Sequence, residues 1–473
     1  MDEITIDKTK PVIAVSYNNN SVLNNSYYKE SRTATITITE HNFNPADVTV
    51  TTTARLDGAT VAVPGVSGWS GGGDTHTATI SYAADADYTF TISTTDMASN
   101  VSDPYDTESF TVDMTQPAVE ITAIEDKSAN NGVVAPVITL EDINFDRNNV
   151  VVRLCGVNKG AVDTAGMYTV ANSAKGQVIT FADFGKNMDD IYTLTAEATD
   201  MAGNTFSTSK TFSVNRDGST YMYEEYTEDL INKGYTHDPK DIVVTEVNVD
   251  TLTFRELTLS KNGTQLTLAE GTDYEVLASG SEVSWKSYTY TIKASNFEDE
   301  GEYAISIYSE DRAANKTTNT SKKKDITFIV DKTSPVISVS NIEDGGRYKA
   351  DSQAFIANVD DNMALDKVEY YLDGEMKQSF TADEVAEVNG ELNLTVGSSN
   401  KFQEVIIKAY DKAENEPTEA KLNILVTTNA FVQYYNNKPV FYGSIGGGVV
   451  LIGGAVVAGI HFSGEKKGKQ KKN

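Results

Sequence analysis

Apolar and polar residues alternate with period two along most of the chain. Stretches 33–40 (TATITITE), 48–52 (VTVTT) and 88–93 (YTFTIS) put β-branched or aromatic residues on one face and threonine on the other. This is the pattern of strands with one buried and one wet face. Gly, Asn and Asp punctuate it every eight to twelve residues, as turns between short strands do. No amphipathic helical stretch of useful length interrupts the pattern. About seven short strands per hundred residues, without closure signals, predict a two-sheet sandwich.

The pattern is itself repeated. ITIDKTKP at 4–11, FTVDMTQP at 110–117, FSVNRDGS at 212–219 and FIVDKTSP at 328–335 are copies of one phrase. A second phrase runs in step upstream: TTDMASN ending at Asn100, ATDMAGN at Asn204, SEDRAAN at Asn315 and AYDKAEN at Asn415. Its Asp residues, 96, 200, 311 and 411, lie 104, 111 and 100 residues apart. Such a period means a string of domains, each large enough to fold alone. The expected division is 7–112, 113–214, 215–330 (longer and divergent) and 331–427. Met1–Ile6 reads as the last strand of a preceding domain, and 428–439 as a linker. Tyr88, Tyr192 and Tyr303 each precede the second phrase's Asp by eight residues, where a tyrosine corner falls in sandwiches. The fourth unit has Gln403 there. The stretch 266–274 with Trp285 and Tyr290 is expected to form an enlarged hairpin.

Composition narrows the class. The 473 residues carry a formal charge of −29, which argues against nucleic-acid binding because nothing would neutralise phosphates. It suits divalent cations. The single cysteine, Cys155, excludes an intrachain disulfide framework and reads as a small buried strand residue. Between Val440 and Phe462 the chain is largely apolar and uncharged, and five lysines follow between 466 and 472. That predicts a transmembrane helix over 440–462, with the basic tail 463–473 in the cytoplasm and the repeats outside. Small-residue pairs at Gly443/Gly447 and Ala455/Gly459 offer a helix-mediated dimer, though so glycine-rich a span produces them by chance. The start carries no signal-peptide pattern, so the expectation is a C-terminal fragment of a longer protein.

The Asp-to-Pro opening followed by a D-x-A-x-N hairpin resembles the bacterial immunoglobulin-like (Big) repeats of surface and adhesin proteins. The resemblance covers 7–427 and is poorest in the third unit, where Asn215 replaces Asp and the Pro is lost. It implies an all-β chain of tandem Ig-like sandwiches. In such a sandwich the first-strand start, the second-to-third-strand loop and the sixth-to-seventh-strand loop meet at one pole. The residues there are Asp7, Glu40, Asp96 and Asn100 in the first unit. They are Asp113, Glu141 with Asp142, Asp200 and Asn204 in the second, and Asp331, Asp360 with Asp361, Asp411 and Asn415 in the fourth. The third offers Asp217, Glu246, Asp311 and Asn315. Hard oxygen donors converging at a joint are what Ca²⁺ takes, and some adhesin extender repeats similar to these are braced so. Turn chemistry alone is the other reading, since Asp and Asn side chains bond their own backbone.

Enzymatic signals are missing. The four His residues are scattered without ligand spacing, and no nucleophile elbow or phosphate loop is present. Trp69 and Trp285 stand at corresponding places, which favours packing at a strand entrance over sugar stacking. Tyr27/Tyr28, Tyr221/Tyr223/Tyr226 and Tyr370/Tyr371 offer further contact surface. The expected role is a non-catalytic, membrane-anchored stalk of a bacterial, Gram-positive-like cell surface. It would present an N-terminal head and contact a host or matrix protein or glycan. The alternative is the spacer of a surface glycoside hydrolase or peptidase whose catalytic domain lies upstream.

Overall fold

The computed structural model describes residues 6–436. The second unit shows the plan. One antiparallel sheet orders Ala118–Thr122, Val137–Glu141, Gly176–Phe181 and Tyr168–Ser173. The other orders Ser128–Asn130, Thr205–Val214, Asp190–Thr199, Val150–Gly156 and Gly160–Val162. Ser128–Asn130 runs parallel to Thr205–Val214, so the chain crosses between sheets soon after entering the unit. The same short parallel pairing recurs at Tyr27–Tyr28, Tyr235–Thr236 and Arg347–Tyr348. The all-β, Ig-like reading therefore stands.

Inward positions of the two sheets form one apolar cluster per unit. In the second unit Ile138, Leu140, Leu194 and Phe212 are its centre. The first centres on Ile36, Ile80, Phe90 and Phe110, the third on Val244, Ile292, Ile305 and Phe328, and the fourth on Phe355, Leu394, Ile407 and Ile424. Tyrosine corners tie three sandwiches at one end. Tyr88, Tyr192 and Tyr303 each donate the hydroxyl to a carbonyl four residues back, of Ala84, Met188 and Asp299, at 2.8 Å. In the fourth unit Gln403 is buried at that place.

Several expectations need correction. Two helices lie within the repeats. α1, Glu225–Lys233, buries Leu230 against the third core, and α2, Ala382–Glu387, buries Val385 in the fourth. α2 stands where the other units run an outer strand, so the fourth unit's first sheet has only Val336–Ser340, Ser352–Asp360 and Glu391–Gly397. A third helix, α3, spans Ala430–Asn436 after the last strand. The expected hairpin is present but begins only at Tyr274: Tyr274–Ser279 pairs antiparallel with Lys286–Ile292, whereas Thr264–Leu266 pairs in the other sheet, so the residues between Leu266 and Tyr274 carry the chain across the sandwich. Cys155 is exposed, because Leu154 and Gly156 take the inward positions of its strand. Tyr28, Tyr221 and Tyr370 belong to the cores rather than to a contact surface.

The predicted membrane span, the basic tail, the small-residue pairs and all but Ile6 of the N-terminal segment lie outside the described residues. Among those described, no helix is long and apolar enough to cross a membrane.

Candidate metal centre at the joints

The D-x-A-x-N hairpin builds one side of each joint. Asp200 Oδ1 accepts the Asn204 N–H at 2.9 Å, and Asp200 Oδ2 accepts the Asn204 side-chain amide at 2.9 Å. The same amide donates to the linker carbonyl of Asp113 at 2.8 Å. Asn100, Asn315 and Asn415 do likewise to Asp7, Asn215 and Asp331, at 3.3, 2.8 and 3.0 Å. The residue before each Asn is left-handed, with φ of 69, 85, 65 and 62° at Ser99, Gly203, Ala314 and Glu414. The recurring Asn thus fastens the hairpin to the incoming linker.

These hairpins also touch the unit before. Asn24 Nδ2 donates to Met201 O at 2.8 Å and Lys29 Nζ to Gly203 O at 2.9 Å. Arg312 donates to Lys127 O at 2.7 Å. His237 Nδ1 donates to Ala413 O at 2.7 Å, beside a Lys233–Glu414 ion pair at 2.7 Å. Trp285 reaches back as well, its Nε1 donating to the fully buried Asp190 at 2.8 Å. Trp69 instead packs in the first core, 5.2 Å from the Phe43 ring.

Three groups of carboxylates converge at these poles: Asp7, Glu40 and Asp96; Asp113, Asp142 and Asp200; Asp331, Asp361 and Asp411. Within each, one oxygen per residue lies within 4.8 Å of the others. Asp142 and Asp361 are the members from the second-to-third-strand loop. Their neighbours Glu141 and Asp360, the last residues of strands, are exposed and stand outside.

The groups differ in what satisfies them. Asn42 donates to Asp7 Oδ2 at 2.6 Å, and Asn144 to Asp113 Oδ2 at 2.8 Å. The equivalent residue of the fourth unit is Met363, which donates its backbone N–H to Asp361 but has no side-chain donor. There Asp331 Oδ2, Asp361 Oδ1 and Asp411 Oδ2 are buried and accept no hydrogen bond. Burial, opposed in part by the Thr333 N–H and reinforced by the negative charge of Asp361 and Asp411, pushes Asp331 up to about 6. Burial first, then the charges of Asp113 and Asp200, raise Asp142 to about 6. Asp7, at the more open first pole, is instead lowered by the Thr9 N–H and the Asn42 amide.

The third unit places its predicted residues otherwise. Asp217 is exposed and takes no part. Glu246 is wholly buried in the core, accepting from Tyr290 at 2.7 Å and Ser309 at 2.5 Å. Its pole is formed by Asn215, Asn248, Asp250 and Asp311, all buried. Asn215 Nδ2 lies 2.9 Å from Asn248 Oδ1 and Asp311 Oδ2, and 3.1 Å from Asp250 Oδ2. The substitution of amide for acid at Asn215 was visible in the sequence; the one at Asn248 needed the strand register.

A cation with oxygen ligands at about 2.4 Å spans ligand pairs up to about 4.8 Å apart. The three carboxylate groups fit such an ion, and the fourth unit's bare oxygens fit it best.

The paired sheets, with a short strand parallel to the last one, define the class: a tandem immunoglobulin-like array. Within it, residues 74–216 and 286–370 match the bacterial Ig-like domain (group 3). The two stretches make up just under half of the chain, and the gap between them falls in the divergent third unit. Among solved structures, the titin I-band fragment I67–I69 is 12% identical, with a TM-score of 0.29, covering 64% of this chain and 93% of that one. The ICAM-5 D1–D4 ectodomain fragment is 10% identical, with a TM-score of 0.27, covering 88% and 100%. The fibronectin(III)-like modules of CbhA from Clostridium thermocellum are 12% identical, with a TM-score of 0.23, covering 44% and 94%. No curated protein matches the sequence.

Proposed function

We propose that this chain is a non-catalytic spacer on a bacterial cell surface, an extended array whose joints are set by divalent cations, with Ca²⁺ the natural candidate. The observation that carries the reading is the coincidence of carboxylates and joints. Each three-carboxylate group sits where a linker enters a unit, beside the hairpin that fastens that linker. Like charges so placed repel while bare, and a bound cation would turn that repulsion into a clamp on the linker. The apolar run between Val440 and Phe462 would anchor the array in the membrane, with the repeats outside and the lysines within. The cores give the array its independence, and its surface would present a head or contact a host or matrix ligand.

Small-angle scattering of the whole chain tests the cation-set joints. The radius of gyration should be larger and its distribution narrower with Ca²⁺ than with chelator. Identical profiles and identical melting temperatures in the two conditions would refute it.

A further inference from the structure

We infer that the joints are of two kinds: the one at Asp331 closes on a divalent cation held by Asp331, Asp361 and Asp411, whereas the one at Asn215 closes on its own amides and needs none. This rests on the cation-set reading above and adds a difference between joints that the repeat pattern does not contain.

The contrast is clearest at one atom. Asp311 Oδ2 accepts the side-chain amides of Asn215 at 2.9 Å, Asn248 at 3.1 Å and Asn315 at 3.0 Å. Its counterpart Asp411 Oδ2 accepts nothing: the Asn415 amide donates to the carbonyls of Asp331 and Thr333, and carboxylates stand where the third pole has the amides of Asn215 and Asn248. Asp331 is 0% and Asp411 4% exposed, and a bare carboxylate oxygen so buried is costly. A cation coordinated by all three residues removes that cost at once.

At the third pole the two amides already do so without charge. Asn215 and Asn248 replace the linker acid and the loop acid, removing two negative charges and adding N–H donors, while Asp250, in the place of Asn42, Asn144 and Met363, returns one charge. Asp250, the neighbour two residues on, accepts Ser213 Oγ on both oxygens at 2.8 Å, which ties it to the strand that ends the second unit. An incoming cation would meet amide hydrogens where the other poles offer carboxylate oxygens. Withdrawal of the cation would therefore loosen the array selectively, leaving the second and third units as a fastened pair.

Limited proteolysis of the whole chain, in Ca²⁺ and in chelator, with cleavage sites mapped by mass spectrometry, reads each joint separately. With free Ca²⁺ about a hundred times the dissociation constant, opening is suppressed about a hundredfold. Cleavage within 331–335 should accelerate by that factor on chelation, and cleavage within 215–219 should not change. The double substitution N215D/N248D should make 215–219 chelator-sensitive. D331N/D361N should abolish the response at 331–335, and it decides the matter if the other variant does not fold. No response at either joint overturns the cation reading itself. An equal response at both joints leaves that reading standing and overturns the difference. So does a folded N215D/N248D that ignores Ca²⁺, or a D331N/D361N that still responds.

Discussion

Asp200 divides its carboxylate between two partners on one residue, and this settles how turn chemistry and a charged pole coexist. Oδ1 holds the Asn204 N–H and Oδ2 the Asn204 amide, both in a site where Asn204 is 2% exposed. Removing the carboxylate strands two buried donors, each costing about 1–3 kcal/mol. Asp200→Ala should therefore destabilise the second unit by about 2–4 kcal/mol in chelator, as read by urea unfolding. A loss below about 1 kcal/mol would mean that water replaces the carboxylate, contrary to the burial. The hairpin Asp and Asn were legible because their chemistry is local and recurs in one short phrase. The loop acid was legible at Glu40 and Asp361 but not in the second unit, where Glu141 and Asp142 are told apart only by which one clears the end of the strand. Glu246 misled for the related reason that a buried acid met by two tyrosines and a serine looks, in sequence, like any other acid at that distance from a linker.

At the scale of elements, strand alternation carried the sandwich, since threonine on the wet face and Ile, Val or aromatic residues on the other give an unmistakable period. The helices were hidden. α1 spans nine residues rich in Glu and Asp, and its inward face amounts to Tyr226, Leu230 and Ile231, too few positions for the helical period to show. It ends at Gly234, left-handed with φ of 79°, whose N–H reaches Leu230 O at 2.7 Å, the usual glycine stop. Isolated helices this short are unstable in water, so α1 depends on its anchor in the third core. Leu230, 3% exposed, supplies most of that anchor. Leu230→Ala should cost about 2–4 kcal/mol and be visible as early melting of the third unit. A loss below about 1 kcal/mol would show that α1 is an ornament on the sandwich.

For the whole molecule the decisive question is whether four apolar clusters make four cooperative units. Each cluster draws its residues from one sandwich, and the joints are crossed by single hydrogen bonds, one tryptophan N–H and a few ion pairs, with Leu23 lying against Gly203. Arrays of this kind behave as intrinsic unit stabilities plus weaker nearest-neighbour terms. Phe355 lies at the centre of the fourth cluster, 1% exposed and edge-on to Tyr370 at 5.7 Å. Its replacement by alanine should remove about 3–5 kcal/mol, a large fraction of the stability of one domain. For a unit near a hundred residues that lowers its melting point by roughly 12–40 °C, at about 4–8 °C per kcal/mol. Distant units should hold their own transitions, because effects at separated sites couple by less than about 0.5 kcal/mol. Calorimetry of Phe355→Ala in the whole chain should thus show one component moving far down while the rest stay in place. The third unit, which shares the Asp331 joint, is the neighbour to watch. A shift there that vanishes in chelator would measure the joint itself, and a profile that moves as a single transition would show one cooperative body in place of an array.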